Sequence, residues 1–330
     1  MVDSVKTSSP ASALVQSEFQ TIRLPVSVAV VEATAFKKQC QTLFAEHADL
    51  SELVLDFEET RFIDSSGIGS LVICHRLSAA NGAKLRLINV PPQVMMVLSL
   101  TELDKVFDIT LAAATADTRA ETKILPETHP SVNSKAKRAL DIFGGLVGLF
   151  LTALVYVPVA IIIKFDDGGP VFFAQTRCSW LGRRFKIWKF RSMVTDAEAR
   201  KSEVVNQVEG PLFKNENDPR ITKIGAFLRK TSLDEFPQFW NVLKGDMSLV
   251  GTRPPTPDEI EQYEVGAWQR LNVKPGMTGE WQVNGRSSIT NFEDVIKLDL
   301  RYQENWSFFY DIKLIVKTVL VLFSKDSGAH

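Results

Sequence analysis

Between about Phe19 and Thr110 the apolar residues change period several times, and the changes mark out alternating strands and helices. Thr21–Val31 is β-rich. Within Glu32–His47, Phe36, Cys40, Leu43 and Phe44 recur at the spacing of one helix face. The run Leu53-Val54-Leu55 makes Glu52–Phe57 a buried strand, Ser66–Ala80 is helix-like, and Lys84–Val90 alternates as a half-buried strand does. Asn81-Gly82 stops the preceding helix. Pro91-Pro92 opens another helix through Leu100, because proline is accepted in a first turn. The pattern predicts a small α/β domain over residues 18–111. Residues 1–17 carry no period and read as a flexible tail. Residues 112–134 mix Ala, Thr, Pro and charge, and read as a loose linker to a second domain over 135–330.

The second domain opens on Ile142–Ile163, 22 residues without a charge. As a helix this run extends about 33 Å, enough to cross a hydrocarbon core. Lys135, Lys137 and Arg138 lie just before it and favour a cytoplasmic start. Pro158 breaks the run and leaves 16 residues ahead of it, short for a span. A re-entrant hairpin that enters and leaves by one face therefore competes with a true span, and a buried soluble helix is the third reading. Gly144 and Gly148 form a GxxxG spacing that permits close helix packing, including packing between two copies of the chain. Phe308–Phe323 is uncharged except for Asp311, Lys313 and Lys317, the pattern of an amphipathic helix at a membrane surface; a core helix is the plainer alternative.

Charge sharpens the division. The whole chain of 330 residues has 38 basic and 39 acidic side chains, a net charge of −1. Residues 1–134 hold 11 basic against 16 acidic, net −5, and residues 135–330 hold 27 against 23, net +4. Cys40, Cys74 and Cys178 are far apart and form no CxxC, so neither a disulfide framework nor a cysteine zinc site is expected. No apolar segment follows a basic start near Met1, so no secretory signal is expected. The four histidines are His47, His75, His129 and His330, which leaves none between 130 and 329. A Ser-His-Asp triad, a Cys-His pair and an HExxH zinc site are therefore unavailable to the second domain. GxxxxGK[ST] and GxGxxG loops are absent as well. Carboxylates, arginines, lysines and a hard cation remain, a set suited to phosphoryl transfer.

Three clusters offer that chemistry. Arg177–Arg191 holds six basic residues, no acidic one, and Trp180, Phe185, Trp188 and Phe190 between them. Base with aromatic fits nucleic acid, anionic lipid or a phosphate-rich substrate, and a solvated hairpin face is the plain reading. The nearby membrane run favours lipid or phosphate over nucleic acid, and Lys189 and Arg191 are the phosphate-binding candidates. Leu228–Pro237 contains the adjacent carboxylates Asp234 and Glu235, with Arg229 five residues earlier. Acid pairs are common on surfaces, but Leu233 and Phe236 beside this one argue for partial burial, which is costly unless a cation or substrate uses it. Lys244–Pro254 and Lys274–Arg286 place Arg253 and Arg286 at the ends of glycine-bearing loops, which present N–H groups and guanidinium forks to phosphates.

With KRALDIFGG, GGPVFFAQTR, FKIWKFRSM, LRKTSLDEFPQFWNVLKGDMSLVGTRP and KPGMTGEWQVNGR in this order, residues 135–330 resemble the bacterial sugar transferases, monotopic polyprenyl-phosphate phosphoglycosyl transferases that begin lipid-linked glycan assembly. The resemblance implies an α+β domain with a re-entrant membrane helix and interfacial helices. It also implies a UDP-sugar donor, undecaprenyl phosphate as acceptor, Mg²⁺, UMP as product, and a covalent phosphosugar–aspartate intermediate in exopolysaccharide, capsule or O-antigen assembly. Asp234 and Glu235 match the family's acid pair, with Glu235 toward the metal. Arg229, Arg253 and Arg286 match its supporting arginines, and Val157-Pro158 its helix-breaking Ser-Pro, without the serine. The family's Gly-Pro-Arg-Pro reads Gly251-Thr252-Arg253-Pro254 here.

Phe62–Leu71, FIDSSGIGSL, resembles the signature of STAS domains, among them anti-sigma-factor antagonists. The resemblance implies an α/β STAS-like fold, a protein partner, and Ser66 as a regulatory phosphorylation site at a helix N-terminus; a plain helix cap is the alternative. The expected protein is an enzyme monotopic in the bacterial inner membrane, with both soluble domains in the cytoplasm, a membrane-lipid contact, the first domain regulatory and separable, and homodimerisation open. Nucleic acid is not an expected partner. The rival is a non-catalytic, membrane-anchored STAS signalling or scaffold protein, against which the intact acid pair and arginines count.

Overall fold

The computed structural model describes residues 18–47, 49–112, 128–207, 210–213, 215, 217–285 and 291–323. The expected tail, most of the expected linker and Arg286 lie outside the described residues.

In the first domain, β1 (Glu18–Arg23) ends before Pro25, which has no N–H for a ladder. The chain then makes β2 (Ser27–Val28) and turns into α1 (Val30–Glu46). The β-rich stretch Thr21–Val31 is therefore two short strands, and its last two valines belong to a helix. β3 (Leu50–Asp56), β4 (Phe62–Ile63), α2 (Ser65–Ala80), β5 (Lys84–Val90), α3 (Pro92–Leu100) and β6 (Asp108–Leu111) follow. β1, β3, β5 and β6 pair in the order β1-β3-β5-β6, all parallel, while β2 and β4 form a small parallel pair of their own. Parallel neighbours need crossover connections, which α1, α2 and α3 supply. Leu53, Leu55, Leu71, Leu87 and Leu98 are buried between sheet and helices.

The second domain starts with α4 (Pro130–Asn133), where His129 Nε2 meets the Gln303 carbonyl at 3.0 Å. The C-terminal end of the expected linker is thus fastened to the second domain. The long helix α5 (Lys135–Asp167) contains Pro158 and is helical on both sides of it. Tyr156 before the proline stacks on Phe172 and Phe190, and Val159 and Ile163 after it pack on Phe190 and Leu228, so both sides are held by one surface.

The hairpin β7 (Phe172–Cys178) and β8 (Arg184–Phe190) is antiparallel. After it come α6 (Lys223–Lys230), a 3₁₀ turn (Leu233–Gln238), α7 (Phe239–Lys244), β9 (Ser248–Val250), α8 (Pro257–Glu261), α9 (Val265–Trp268), β10 (Gly276–Thr278), α10 (Glu280–Gly285), α11 (Phe292–Glu304) and α12 (Phe308–Phe323). β9 and β10 pair in parallel.

One stripe of α5 faces the domain over its whole length. Lys137 Nζ donates to Asp311 Oδ2 at 2.6 Å and to the Val250 carbonyl, and Asp141 accepts from Ser248 Oγ and Leu249 N. A Cβ on Gly144 would lie 2.5 Å from Leu249 Cδ1, and one on Gly148 2.2 Å from Phe239 Cγ. The GxxxG spacing is used within the chain, which corrects its reading as a contact between copies. Phe143, Phe150, Leu154, Val157, Ile161 and Phe165 are exposed on the rest of the helix. Phe309, Val316 and Leu320 of α12 are also exposed. In α12, Asp311 is buried and takes bonds from Lys137, Tyr302 and Trp306, so it anchors the helix inward and leaves an apolar outer face.

The two domains share one apolar core. Trp268 and Val265 of α9 join the cluster that contains Leu71 and Cys74 of α2. Gly69 is where α2 and the Trp268 ring meet: a Cβ there would lie 2.4 Å from Trp268 Cγ. Asn272 Oδ1 accepts from Ser65 Oγ at 2.6 Å and Ser65 N at 3.1 Å, and Lys37 pairs with Glu264.

Candidate active site

The acid pair sits on a strained turn. Ser232, at φ 54°, occupies the left-handed region that non-glycine residues rarely adopt, and the 3₁₀ turn follows directly. That turn packs on β8, so Glu235 Oε1 meets Lys189 Nζ at 2.8 Å. Asp234 is buried on the side of Arg229, whose Nε donates to Ser192 Oγ at 3.0 Å. Burial holds the Arg229 guanidinium below its ordinary pKa, with the Asp234 carboxylate pulling the other way.

A cavity of about 390 Å³ opens beside this turn. Glu235, Lys189, Arg177, Arg253 and Ser232 form its polar end. Phe236, Phe239, Met277, Trp281, Ile315 and Val319 form its apolar wall, the last two from α12. The buried atoms Ser232 Oγ, Trp281 Nε1 and Gln282 Oε1, all on cavity-lining residues, lack a hydrogen-bond partner among the described residues. Buried polar groups are rarely left so, and these three suit a polar ligand.

The arginines are held stiffly. Glu259 takes both Nη atoms of Arg253, at 2.7 and 3.1 Å, and Glu259 with Thr256 closes a capping box at the start of α8. Burial works to lower the Arg253 pKa, but the facing Glu259 carboxylate outweighs it and raises it. Arg177 Nη1 donates to the Pro254 carbonyl at 2.9 Å, and its Nε and Nη2 reach Gln175 Oε1. Burial, and then the charge of Arg253, push Arg177 down to about 10. Two guanidiniums in one wall make an anion-seeking end.

Of the residues singled out in the sequence, Glu235, Lys189 and Arg253 line this cavity, and Asp234 with Arg229 lies behind the same turn, outside the lining. Arg191 does not line it: its guanidinium packs on Gly169, where a Cβ would lie 2.0 Å from Nη1, so it fastens the exit of α5. Ser66 is fully buried and its hydroxyl has no partner among the described residues; the cap of α2 is Asp64, which accepts from Gly67 N at 2.9 Å. Arg177 and Glu259 were not separable in the sequence from other charged residues. Among the described residues no group of three or more His, Cys, Asp or Glu is gathered to hold a metal. Glu235, the carboxylate of the pair that reaches the cavity, nevertheless fits Mg²⁺, which takes one or two protein oxygens and completes its shell with water and substrate phosphates.

The family model for bacterial sugar transferases matches residues 132–325, more than half of the chain. The chain belongs to the bacterial sugar transferase family. Its first domain is a STAS domain, by a family match over residues 12–118. The sugar transferase domain is 53% identical over 189 residues to the galactosyl transferase CpsE of Streptococcus agalactiae, covering 57% of this chain and 42% of that one. It is 43% identical over 195 residues to the UDP-glucose:undecaprenyl-phosphate glucose-1-phosphate transferase of Escherichia coli, covering 57% of this chain and 40% of that one. The exopolysaccharide production protein ExoY of Rhizobium meliloti is 36% identical over 195 residues, covering 57% of this chain and 85% of that one. The chain thus spans about two-fifths of the length of the first two relatives. The anti-sigma factor antagonist SpoIIAA aligns with 33% of this chain and 91% of its own at 19% identity, with a TM-score of 0.25, too low to weigh on the argument.

Proposed function

We propose that this sugar transferase moves a sugar-1-phosphate from a UDP-sugar to undecaprenyl phosphate at the cytoplasmic face of the bacterial inner membrane, as the first membrane step of a glycan assembly. The carrying observation is the mixed lining of the cavity: Arg177, Lys189 and Arg253 together with apolar side chains, among them Ile315 and Val319 of α12. The basic residues suit a diphosphate, and the apolar ones suit an isoprenoid phosphate reaching in from lipid. The names of the relatives support the same chemistry.

Monotopic insertion is supported by α5. Its inward stripe meets the soluble domain from Lys137 to Ile163, so both ends of the apolar run stay on one side of the molecule, while Phe143, Phe150 and Leu154 face outward for lipid. The exposed apolar face of α12 extends that contact.

In the reaction, an Asp234 carboxylate oxygen attacks the sugar-bearing phosphorus of the donor, and the bond from that phosphorus to the bridging oxygen breaks, so UMP leaves with the electron pair. A phosphate oxygen of the acceptor then attacks the same phosphorus, releases the carboxylate and forms the lipid diphosphate sugar. Arg177 and Arg253 offset the diphosphate charge, and Arg229 places its positive charge beside Asp234. Glu235, relieved of Lys189, would hold Mg²⁺ together with donor oxygens; the ion supplies charge neutralisation when bound. A second reading makes Glu235 the nucleophile, favoured by its place in the cavity wall while Asp234 lies behind it.

Detergent-solubilised full-length protein, given a panel of UDP-sugars with undecaprenyl phosphate and Mg²⁺, should release UMP with at least one of them. Asp234→Asn should lower turnover by roughly three orders of magnitude or more. Substantial turnover left in Asp234→Asn, or no UMP from any donor, contradicts the proposal.

A further inference from the structure

We infer that the STAS domain is a positioning part of the transferase cavity, acting through Trp268, Arg270 and Asn272. This rests on the reading of the cavity as the donor site. These three residues alternate along one short stretch that ends α9 and leads toward β10. Trp268 and Asn272 face the first domain: the indole covers Gly69, and the amide oxygen takes the Ser65 hydroxyl and N–H. Arg270, between them, faces the other way and is fully buried.

Arg270 reaches the segment that carries the cavity arginine. Its Nη2 donates to the Arg253 carbonyl at 3.4 Å, and its own carbonyl accepts from Thr252 Oγ1 at 3.1 Å. Asp299 of α11 binds Nε and Nη2 at 2.9 and 2.5 Å, and Nη1 donates to the Tyr263 hydroxyl at 2.6 Å. Arg253 in turn is clamped by Glu259, one short helix before Tyr263. The chain from 252 to 272 is therefore one closed loop. Its inner side presents Arg253 to the cavity, and its outer side is finished by α2 of the first domain.

Without that cover, the indole of Trp268, buried now under Gly69, would face water. A loop whose outer half is an unfilled apolar surface does not hold its inner half in place, because packed groups, not the backbone alone, fix such segments. The first domain supplies the missing packing. Ser65 and Asn272 add direction to it, since a hydrogen bond between buried groups is lost outright when the two surfaces part.

The test places bulk or polarity at the interface and reads the cavity. The neighbours nearest to a Cβ at Gly69 are all atoms of Trp268, so Gly69→Leu pushes on the transferase domain and not on the STAS core. In the full-length protein this variant should raise the KM for the UDP-sugar about tenfold while kcat stays within about threefold. Amide exchange should accelerate in residues 252–259 as well as at the contact, and stay unchanged in α6. Ser65→Val should move the same readouts in the same direction, and the equally branched Ser65→Thr, which keeps the hydroxyl, should restore them toward wild type. Faster exchange confined to α2 and residues 265–272, with KM unchanged, overturns the inference. A wild-type protein that turns over no UDP-sugar defeats the donor-site reading instead. The exchange at 252–259 then decides the inference alone: acceleration in Gly69→Leu upholds the coupling, and none overturns it.

Discussion

Arg253 is useful to an anionic ligand only while Glu259 fixes it, and that pair predicts how the molecule answers to acid. Burial alone would raise the Glu259 pKa, but Arg253 facing it holds the carboxylate below its ordinary value of 4.5. A carboxylate depressed in the folded state contributes stability that is complete above its unfolded pKa and is lost as pH falls through the folded one. The difference in unfolding free energy between wild type and Glu259→Gln should therefore be constant above about pH 5 and shrink below it. The plateau should reach about 3 kcal/mol, because removing one partner strands a buried charge. Denaturant titrations across pH check this, and a difference that grows on acidification contradicts it. At this scale the sequence was partly legible. Asp234, Glu235 and Arg229 are near in sequence, so their shared turn could be read, as could the arginine at Arg253. Arg177 meets Pro254 from 77 residues away, and only folding puts the two arginines in one wall. The burial of Ser66 was equally unreadable, because it depends on the whole packing of α2 and what lies over it.

The helix α5 shows what periodicity does and does not tell. Its length and lack of charge in Ile142–Ile163 announce a lipid contact, and Lys135–Asp166 is the single described helix apolar and long enough to cross a membrane. The run is apolar all round, so hydropathy could not say which stripe meets protein. Small residues mark it in hindsight: Gly144, Gly148 and Thr152 recur every four residues, and each admits a bulky or hydrogen-bonded neighbour from the domain. Gly148→Leu should drive a side chain into Phe239 and cost about 1–3 kcal/mol of overpacking. Thermal unfolding in detergent should show the loss, whereas Leu154→Ala on the outward face should leave the midpoint nearly unchanged. Equal effects from the two would mean that the inward stripe is not the packed one. In the first domain, where the patterns are clean, α1, α2, α3 and β5 were readable to within two residues, whereas Thr21–Val31 divides into β1, β2 and the start of α1, and β4 and β6 were not read.

At the scale of the molecule, the first domain lies against the second, and the second against one stripe of α5, which fits the topology the account needs. Cysteines introduced at Asp166 and at Glu198 should stay unlabelled by an impermeant maleimide in intact cells and react after lysis; the three native cysteines are buried and add little background. Labelling of Asp166→Cys from outside would show a true span. Domain count and order were legible from the change of pattern at the linker and from the charge of each half. The docking between the domains was not, because Trp268, Asn272 and Gly69 carry no sign in the sequence that they meet. The central claim is covalent transfer through the acid pair, and one rapid-quench measurement tests it. Full-length enzyme, donor UDP-sugar and Mg²⁺ are mixed without acceptor lipid, quenched, and analysed for UMP and for modified peptides. The account predicts a burst of UMP equal in amount to active enzyme, with the phosphosugar on the peptide containing Asp234 and absent from Asp234→Asn. UMP that appears only after undecaprenyl phosphate is added, with no phosphosugar on the protein, would contradict it and leave direct transfer to the lipid phosphate.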